Sequence, residues 1–282
     1  KCAAKLLVNV FFMVPSAVPA TDVETNGCGE FLASDMMKYV DNARVLGLGE
    51  TMRFMECCEG EKRMADKLEL FAKKHIDGHA PGIRGKEVQA YRLAGVENDH
   101  ECSTAEEVLD KLRAGLHIYV REGSGAKNLE TLIKTMLDAG VCLDRCAFCT
   151  DDKHVEEIRK EGHISTCIRK AIALGVPVAK AYKMGSYQAA EFYGLKNYGA
   201  IGAGYRADIV FLDDLEQVRP LDVMKDGCIL TEEDYAKDYS VPVPDELLHT
   251  VHVGEVTKEK IRLSCDCLLY TSPSPRDMRR SR

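Results

Sequence analysis

Two histidines, His79 and His100, and the carboxylates of Glu50, Glu122 and Asp151 stand out in this chain of 282 residues for where they fall. Glu50, His79, His100, Arg121 with Glu122, and Asp151 each close a short apolar run just ahead of a helical-looking stretch, at gaps of 29, 21, 22 and 29 residues. Such gaps are about the length of one strand-plus-helix unit. Taken singly, each residue has a plain explanation as a capping or structural group. Taken together, side chains at the carboxyl ends of successive parallel strands would meet at one mouth, the face where barrel active sites are built. Two imidazoles with two or three carboxylates satisfy a divalent metal of intermediate hardness. His75, His117, His154 and His163 lie elsewhere in their runs and read as solvated or supporting groups.

The elements that must position these residues alternate in type. Apolar runs at Leu6 to Val14, Val45 to Leu48, the stretch ending at Ile76, Gly95 to Glu97, Leu116 to Val120 and Cys146 to Cys149 predict strands. Between and after them, Glu61 to Lys74, Gly85 to Ala94, Thr104 to Ala114, Asn128 to Ala139, His154 to Lys160, His163 to Leu174 and Ala179 to Tyr193 predict helices. Strand then helix, six times over, is the pattern of a parallel sheet with helices outside it. Thr104 followed three residues on by Glu107 predicts a capping box that fixes one helix start. Beyond Tyr193, glycines at 194, 199, 202 and 204 lead into two predicted strands, Ala207 to Leu212 and Val223 to Ile229, a small β module.

Composition narrows the class. At 45% hydrophobic and 29% charged, the chain reads as globular and soluble, and no apolar run reaches the eighteen or so residues of a membrane span. A net charge of −7 argues against a nucleic-acid backbone as partner and for a small molecule. Twelve cysteines without a short secreted frame point to a reducing cytoplasm. Cys142, Cys146 and Cys149 imitate the triplet of an iron–sulfur site, but strand alternation would send Cys146 and Cys149 to opposite faces. Lys1 reads as a cut end. Residues 267–282 resemble a translated sequencing adapter and are set apart from fold reasoning.

Several strand-end motifs carry a resemblance. Met13-Val-Pro-Ser-Ala-Val-Pro-Ala20, Leu46-Gly-Leu-Gly-Glu50, Ile76-Asp-Gly-His-Ala-Pro-Gly82, Asn98-Asp-His-Glu-Cys102, Val120-Arg-Glu-Gly-Ser124 and Phe148-Cys-Thr-Asp-Asp152 resemble those of the adenine deaminase branch of the metal-dependent amidohydrolase superfamily. Gly199-Ala-Ile-Gly-Ala-Gly-Tyr-Arg-Ala-Asp-Ile-Val-Phe-Leu-Asp213 is similar to that superfamily's small β-sandwich. The resemblance implies an α/β fold, an incomplete TIM-like (β/α)8 barrel holding strands 3 to 8, followed by a β-sandwich segment. The expected divisions are a partial barrel over 1–195, the β-sandwich segment over 196–239, a linker and the start of a truncated domain over 240–266, and the adapter-like tail.

By the same resemblance, Glu50 bridges two divalent ions, manganese or iron, with zinc also suited; His79 and His100 hold the more exposed ion. Asp151 binds the buried ion and shuttles the proton as hydroxide attacks C6 of adenine and ammonia departs, leaving hypoxanthine. Glu101 is the candidate to protonate the ring nitrogen. Arg121, Glu122 and Ser124 are candidates to line the purine pocket, and Arg121 with Glu122 is equally readable as a structural ion pair. A homo-oligomer is left open. The superfamily's first strand supplies a His-x-His pair, and none occurs among these 282 residues. The expectation is therefore a chain that folds poorly and is inactive alone, cut from a deaminase. Two other readings remain: a relative acting on another cyclic amide or aminopurine, and a non-catalytic metal-binding remnant.

Overall fold

A computed structural model describes residues 3, 5–21, 29–248 and 254–262. Six parallel strands follow one another in chain order. β1 (Phe12–Pro15), β2 (Val45–Thr51) and β3 (His75–Gly78) form one three-stranded sheet, and β4 (Asn98–Asp99), β5 (His117–Arg121) and β6 (Cys146–Cys149) a second. The two sheets are continuous in space, because the Glu97 N–H donates to the Ile76 carbonyl at 3.0 Å and the Gly78 N–H to Asn98 Oδ1 at 3.1 Å. The described strands do not close into a barrel.

Helices return the chain between strands: α1 (Ala33–Val40), α2 (Phe54–Glu59), α3 (Lys62–Leu70), α4 (Lys86–Leu93), α5 (Ala105–Arg113), α6 (Leu129–Asp138), α7 (Val155–Glu161), α8 (Ile164–Ala173), α9 (Val178–Gly185) and α10 (Tyr187–Phe192). The helical faces bury two apolar cores. One gathers Met36, Leu48, Met64, Phe71, Ile76, Val88 and Tyr91; the other gathers Val108, Ile118, Val120, Leu132, Met136, Cys146 and Phe148. Thr104 does cap α5, its Oγ1 accepting from the Glu107 N–H while Glu107 reaches back to the Thr104 N–H.

Strand alternation assigns the other face. With Ile76, Ile118, Val120, Cys146 and Phe148 in the helix-side cores, their neighbours His75 and Asp77, His117, Tyr119 and Arg121, and Cys149 fall on the concave side. They stack in layers, as barrel interiors do. His75 pairs with Glu97 at 2.7 Å at the amino ends of the strands. Asp77, Asn98 and Tyr119 form the middle, and His79, His100, Arg121 and Asp151 the carboxyl-end rim. From α10, Phe192 enters the lower layer with its ring 4.5 Å from His117 and 5.1 Å from His75.

The expected elements hold, with differences. β1 begins only at Phe12, six residues into the expected run, and α3 ends at Leu70, short of Lys74. β4 starts at Asn98, after the apolar run at Gly95 to Glu97. α1 and α2 were not anticipated; both are short, and α2 follows a strand end without a side-chain cap. Ala179 to Tyr193 is two helices broken at Ser186, whose backbone leaves the helical region at φ −146°. Val223 to Ile229 is a hairpin, β8 (Pro220–Lys225) and β9 (Cys228–Ile229), turned at Asp226 and Gly227, and it joins β7 (Ile209–Leu212) in one antiparallel sheet. A short helix, α11 (Glu232–Ala236), follows.

Compact units divide at Pro242: the first holds every described strand, and the second holds α12 (Lys258–Ile261) among its described residues. The adapter-like tail lies outside the described residues. No described helix is long and apolar enough to cross a membrane.

The β3–β4 seam depends on one glycine. A Cβ on Gly78 would stand 2.1 Å from the Asn98 carbonyl oxygen, so Gly78→Ala must separate the strands. We expect a loss of about 1–3 kcal/mol, as for overpacked cores, read from the urea midpoint; an unmoved midpoint would mean the strands do not meet there.

A second expectation concerns acid. Burial, then the nearby Arg145 charge, push His117 down to about 4. The unfolded chain takes up this proton near pH 6.5, whereas the folded chain does so only near 4. Stability due to neutral His117 is therefore present above about pH 6.5 and is lost as pH falls toward 4. Urea melts from pH 7 to 4 should show a shallower decline for His117→Gln than for the native chain.

Candidate metal centre

Glu50 is the penultimate residue of β2, where the β2–β3 register breaks between Leu48 and Thr51. Its backbone sits at φ 31°, and the Ser16 hydroxyl donates to its carbonyl at 2.7 Å. This irregularity sets Glu50 at the rim. His79 follows β3 and His100 follows β4, and their rings lie 5.2 Å apart. One donor atom each from Glu50, His79 and His100 falls within a 4.8 Å group; a second such group takes His100, Glu101 and Asp151.

Distances show how closely the imidazoles and carboxylates are gathered. His79 Nδ1 stands 3.6 Å from both Glu50 and Glu101, and His100 Nε2 stands 3.8 Å from Glu50 and 3.3 Å from Glu101. His79 Nδ1 is buried with no hydrogen-bond partner. The facing His79 ring holds the Glu50 carboxyl below its ordinary range, against the opposing effect of burial. Burial works to lower His79, but the Glu50 and Glu101 carboxylates outweigh it and raise its pKa. An orphaned ring nitrogen between two carboxylates, with a second imidazole alongside, fits a divalent cation in donor type.

Asp151 follows β6 at φ 52°. Arg121, at the end of β5, joins it to the rest: its guanidinium meets Asp151 Oδ2 at 2.6 Å and pairs with both oxygens of Glu101. Of the two readings of Arg121 with Glu122, a structural ion pair between them does not form among the described contacts. Glu122 instead takes the Lys170 ammonium from α8 at 2.5 Å. Ser124 donates to Glu157 at 2.6 Å and accepts from the His154 N–H, so it is occupied in its loop. The structure thus brings Glu50, His79, His100, Glu101, Arg121 and Asp151 together and leaves Glu122 and Ser124 engaged elsewhere.

A cleft of about 210 Å³ opens beside the cluster, lined by Glu50, Asp77, Asn98, His100, Tyr119, Phe148, Cys149, Asp151 and Tyr193. Asp77 and Tyr193 were not singled out from sequence. The Tyr193 hydroxyl donates to Asp77 at 2.9 Å, and Asn98 donates to the same carboxyl. Burial pushes Asp77 up to about 6, with these hydrogen bonds opposing. The signal for Asp77 was present, two residues before His79 on an alternating strand; the partner Tyr193, 116 residues on, left none. Cys146 packs against Met136 in the helix-side core, Cys149 lines the cleft and Cys142 is exposed, so the three thiols share no site.

Comparison with known proteins agrees with the strand-end motifs. The Amidohydrolase family profile matches residues 1–230. The chain is 42% identical to an adenine deaminase of Desulfitobacterium hafniense (strain Y51) over 259 residues, 92% of this chain and 45% of the relative. It is 41% identical to an adenine deaminase of Clostridium acetobutylicum over 263 residues, 92% of this chain and 46% of that one. The chain therefore spans less than half the length of these curated relatives. A crystal structure of the β-aspartyl dipeptidase of Fervidobacterium islandicum AW-1, in complex with a β-Asp-Leu dipeptide, matches with a TM-score of 0.57 and 18% identity over 82% of this chain and 68% of that one. That likeness shows a shared TIM-barrel-like fold. A profile match over most of the sequence, laid on parallel strands whose carboxyl ends gather histidines and acids, establishes that this chain belongs to the amidohydrolase family.

Proposed function

We propose that this sequence is the part of an adenine deaminase that carries ligands for one ion, part of the site for a second, and the proton-handling carboxylates. The supporting observation is the convergence of Glu50, His79, His100 and Asp151, four residues spread over 102 positions, at one rim beside a small cleft. In this reading the six strands correspond to strands 3 to 8 of an eight-stranded barrel. The divisions at 195/196, 239/240 and 266/267 mark its end, the β segment and the start of a further domain. Residues outside this sequence would supply the His-x-His pair.

Glu50, His79 and His100 would hold one divalent ion, manganese, iron or zinc, and Asp151 together with Glu50 would contribute to a second. An ion there supplies a Lewis acid that makes a water acidic enough to yield hydroxide near neutral pH. The residues then divide the proton work. Asp151 Oδ takes the proton of the attacking water and returns it to the amino group leaving C6 of adenine, giving ammonia and hypoxanthine. Arg121 keeps Asp151 aimed into the cleft. Glu101 is the carboxyl nearest the imidazoles and our candidate to protonate the ring nitrogen. Its carboxylate is paired with Arg121, so that role requires the Arg121 contact to loosen when substrate enters. Glu122 and Ser124 would act on the purine only through their loop.

Two measurements test this. Titration of the chain with Co²⁺ or Mn²⁺ should show affinity falling about tenfold or more for Glu50→Gln or His79→Ala, and unchanged for Ser124→Ala. The 259 aligned residues should also be grafted into the Desulfitobacterium hafniense enzyme in place of their counterparts. The folded, metal-loaded chimera is expected to release ammonia from adenine and not from guanine or dihydrouracil, and Asp151→Asn should abolish release. A loaded chimera that turns over only a cyclic amide, or nothing, would overturn the proposal.

A further inference from the structure

α5 carries a lysine that never reaches water. The Lys111 side chain is 0% exposed, and its ammonium donates to Asp99 Oδ1 at 3.1 Å and to the Ala80 carbonyl at 2.8 Å. Glu107, one turn earlier, stands 3.9 Å away. Asp99, equally buried, accepts from the Ala80 N–H at 2.9 Å and from the Glu101 N–H at 2.7 Å. Glu107 accepts from the N–H groups of Gly82, Ser103 and Thr104. The neighbours of both rim histidines are tied in: Ala80 follows His79, while Asp99 and Glu101 flank His100.

A buried ion pair is weak evidence for stability, because well-packed apolar residues often do as well. This one is spent on backbone groups of two separate loops. We propose that Asp99, Lys111 and Glu107 are positioning residues that lock the loop after β3 to the loop after β4, so that His79 and His100 present their ring nitrogens as one preset pair. The purpose of that pair rests on the metal-site reading above; the locking itself does not.

Imidazole ¹⁵N spectra of the metal-free chain, followed by Co²⁺ titration, separate the two. The variants are Lys111→Met, the double Asp99→Asn with Lys111→Met, which removes the Lys111–Asp99 pair as a whole and leaves Glu107 to its N–H donors, and Lys74→Met as a control, since Lys74 bonds the Val45 carbonyl at the far end of β2. In the double variant we expect native helix content by circular dichroism and broadened or shifted His79 and His100 resonances, with His154 unmoved. Co²⁺ affinity should fall about tenfold or more, as when supporting contacts around a metal ligand are removed. Lys74→Met should leave all of these unchanged. If both lysine variants unfold, Glu107→Gln reads the same resonances with the Lys111–Asp99 pair intact, and a shift is expected there too. Unmoved His79 and His100 resonances in a folded variant overturn the proposal. Shifted resonances in a chain whose native form binds no Co²⁺ uphold the locking and remove the metal reading instead.

Discussion

Crowded negative charge at the carboxyl rim is the constraint to which the rest of the site answers. Glu50, Glu101 and Asp151 converge there, and Arg121 is committed to two of them, Glu101 and Asp151. Glu50 faces imidazoles at 3.6 and 3.8 Å, too far for good hydrogen bonds. Two unit charges 4 Å apart near a protein surface interact by about 4 kcal/mol, and the Glu50 side chain, 43% exposed, meets the rest of its need from solvent. The upward pull on the His79 pKa expresses the same imbalance: the site draws positive charge, as a proton or as a cation. His79 Nδ1, buried without a hydrogen-bond partner, and the Glu50 carboxylate facing it are therefore best understood together, as parts of one set of donors.

Holding acids in that position strains the backbone. Glu50 and Asp151, both candidate ligands, are two of the four non-glycine residues with positive φ among those described. Residues in such sparsely populated regions cost on the order of 1–3 kcal/mol each and persist when their surroundings over-determine them. The surroundings here do so: the Ser16 hydroxyl grips the Glu50 carbonyl, and Arg121 grips the Asp151 carboxylate. Strain and charge crowding therefore coincide at the same residues, which separates this rim from the His75–Glu97 end of the strands, where a histidine and a carboxylate meet in an ordinary 2.7 Å pair.

Much of this geometry is legible in the chain because period-two alternation and strand ends are local properties. His75, Asp77 and His79 share a face by count alone, as do His117, Tyr119 and Arg121, and the spacing of strand ends places their last members at one rim. What escaped is non-local or disguised. Lys111 sits on an amphipathic helix among Glu106, Asp110 and Arg113, and reads as one more solvated charge; only the fold shows Asp99 and Ala80 waiting beneath it. Of the two readings of Arg121 with Glu122, the mutual ion pair fails because adjacent strand residues face opposite ways, and Glu122 meets Lys170 of α8. The α9–α10 break falls at Gly185 and Ser186, a pair of weak helix formers whose local signal is outweighed by the apolar pattern running on through either side.

That break matters to the site. Because α9 stops at Gly185, α10 can turn under the sheet and drive Phe192 and Tyr193 into its concave side, where Tyr193 closes the middle layer on Asp77 and stacks 6.0 Å from Tyr119. A barrel interior is ordinarily filled by branched apolar side chains. Here the strands offer Asp77, Asn98 and Tyr119 instead, which would be costly to bury without partners. The tyrosine supplies both an aromatic body to fill the space and a hydroxyl to satisfy the carboxyl. The floor of the cleft is thus made by a segment that follows all six parallel strands in sequence, and the Asp77 carboxyl beneath the rim acids is satisfied by Asn98 and Tyr193.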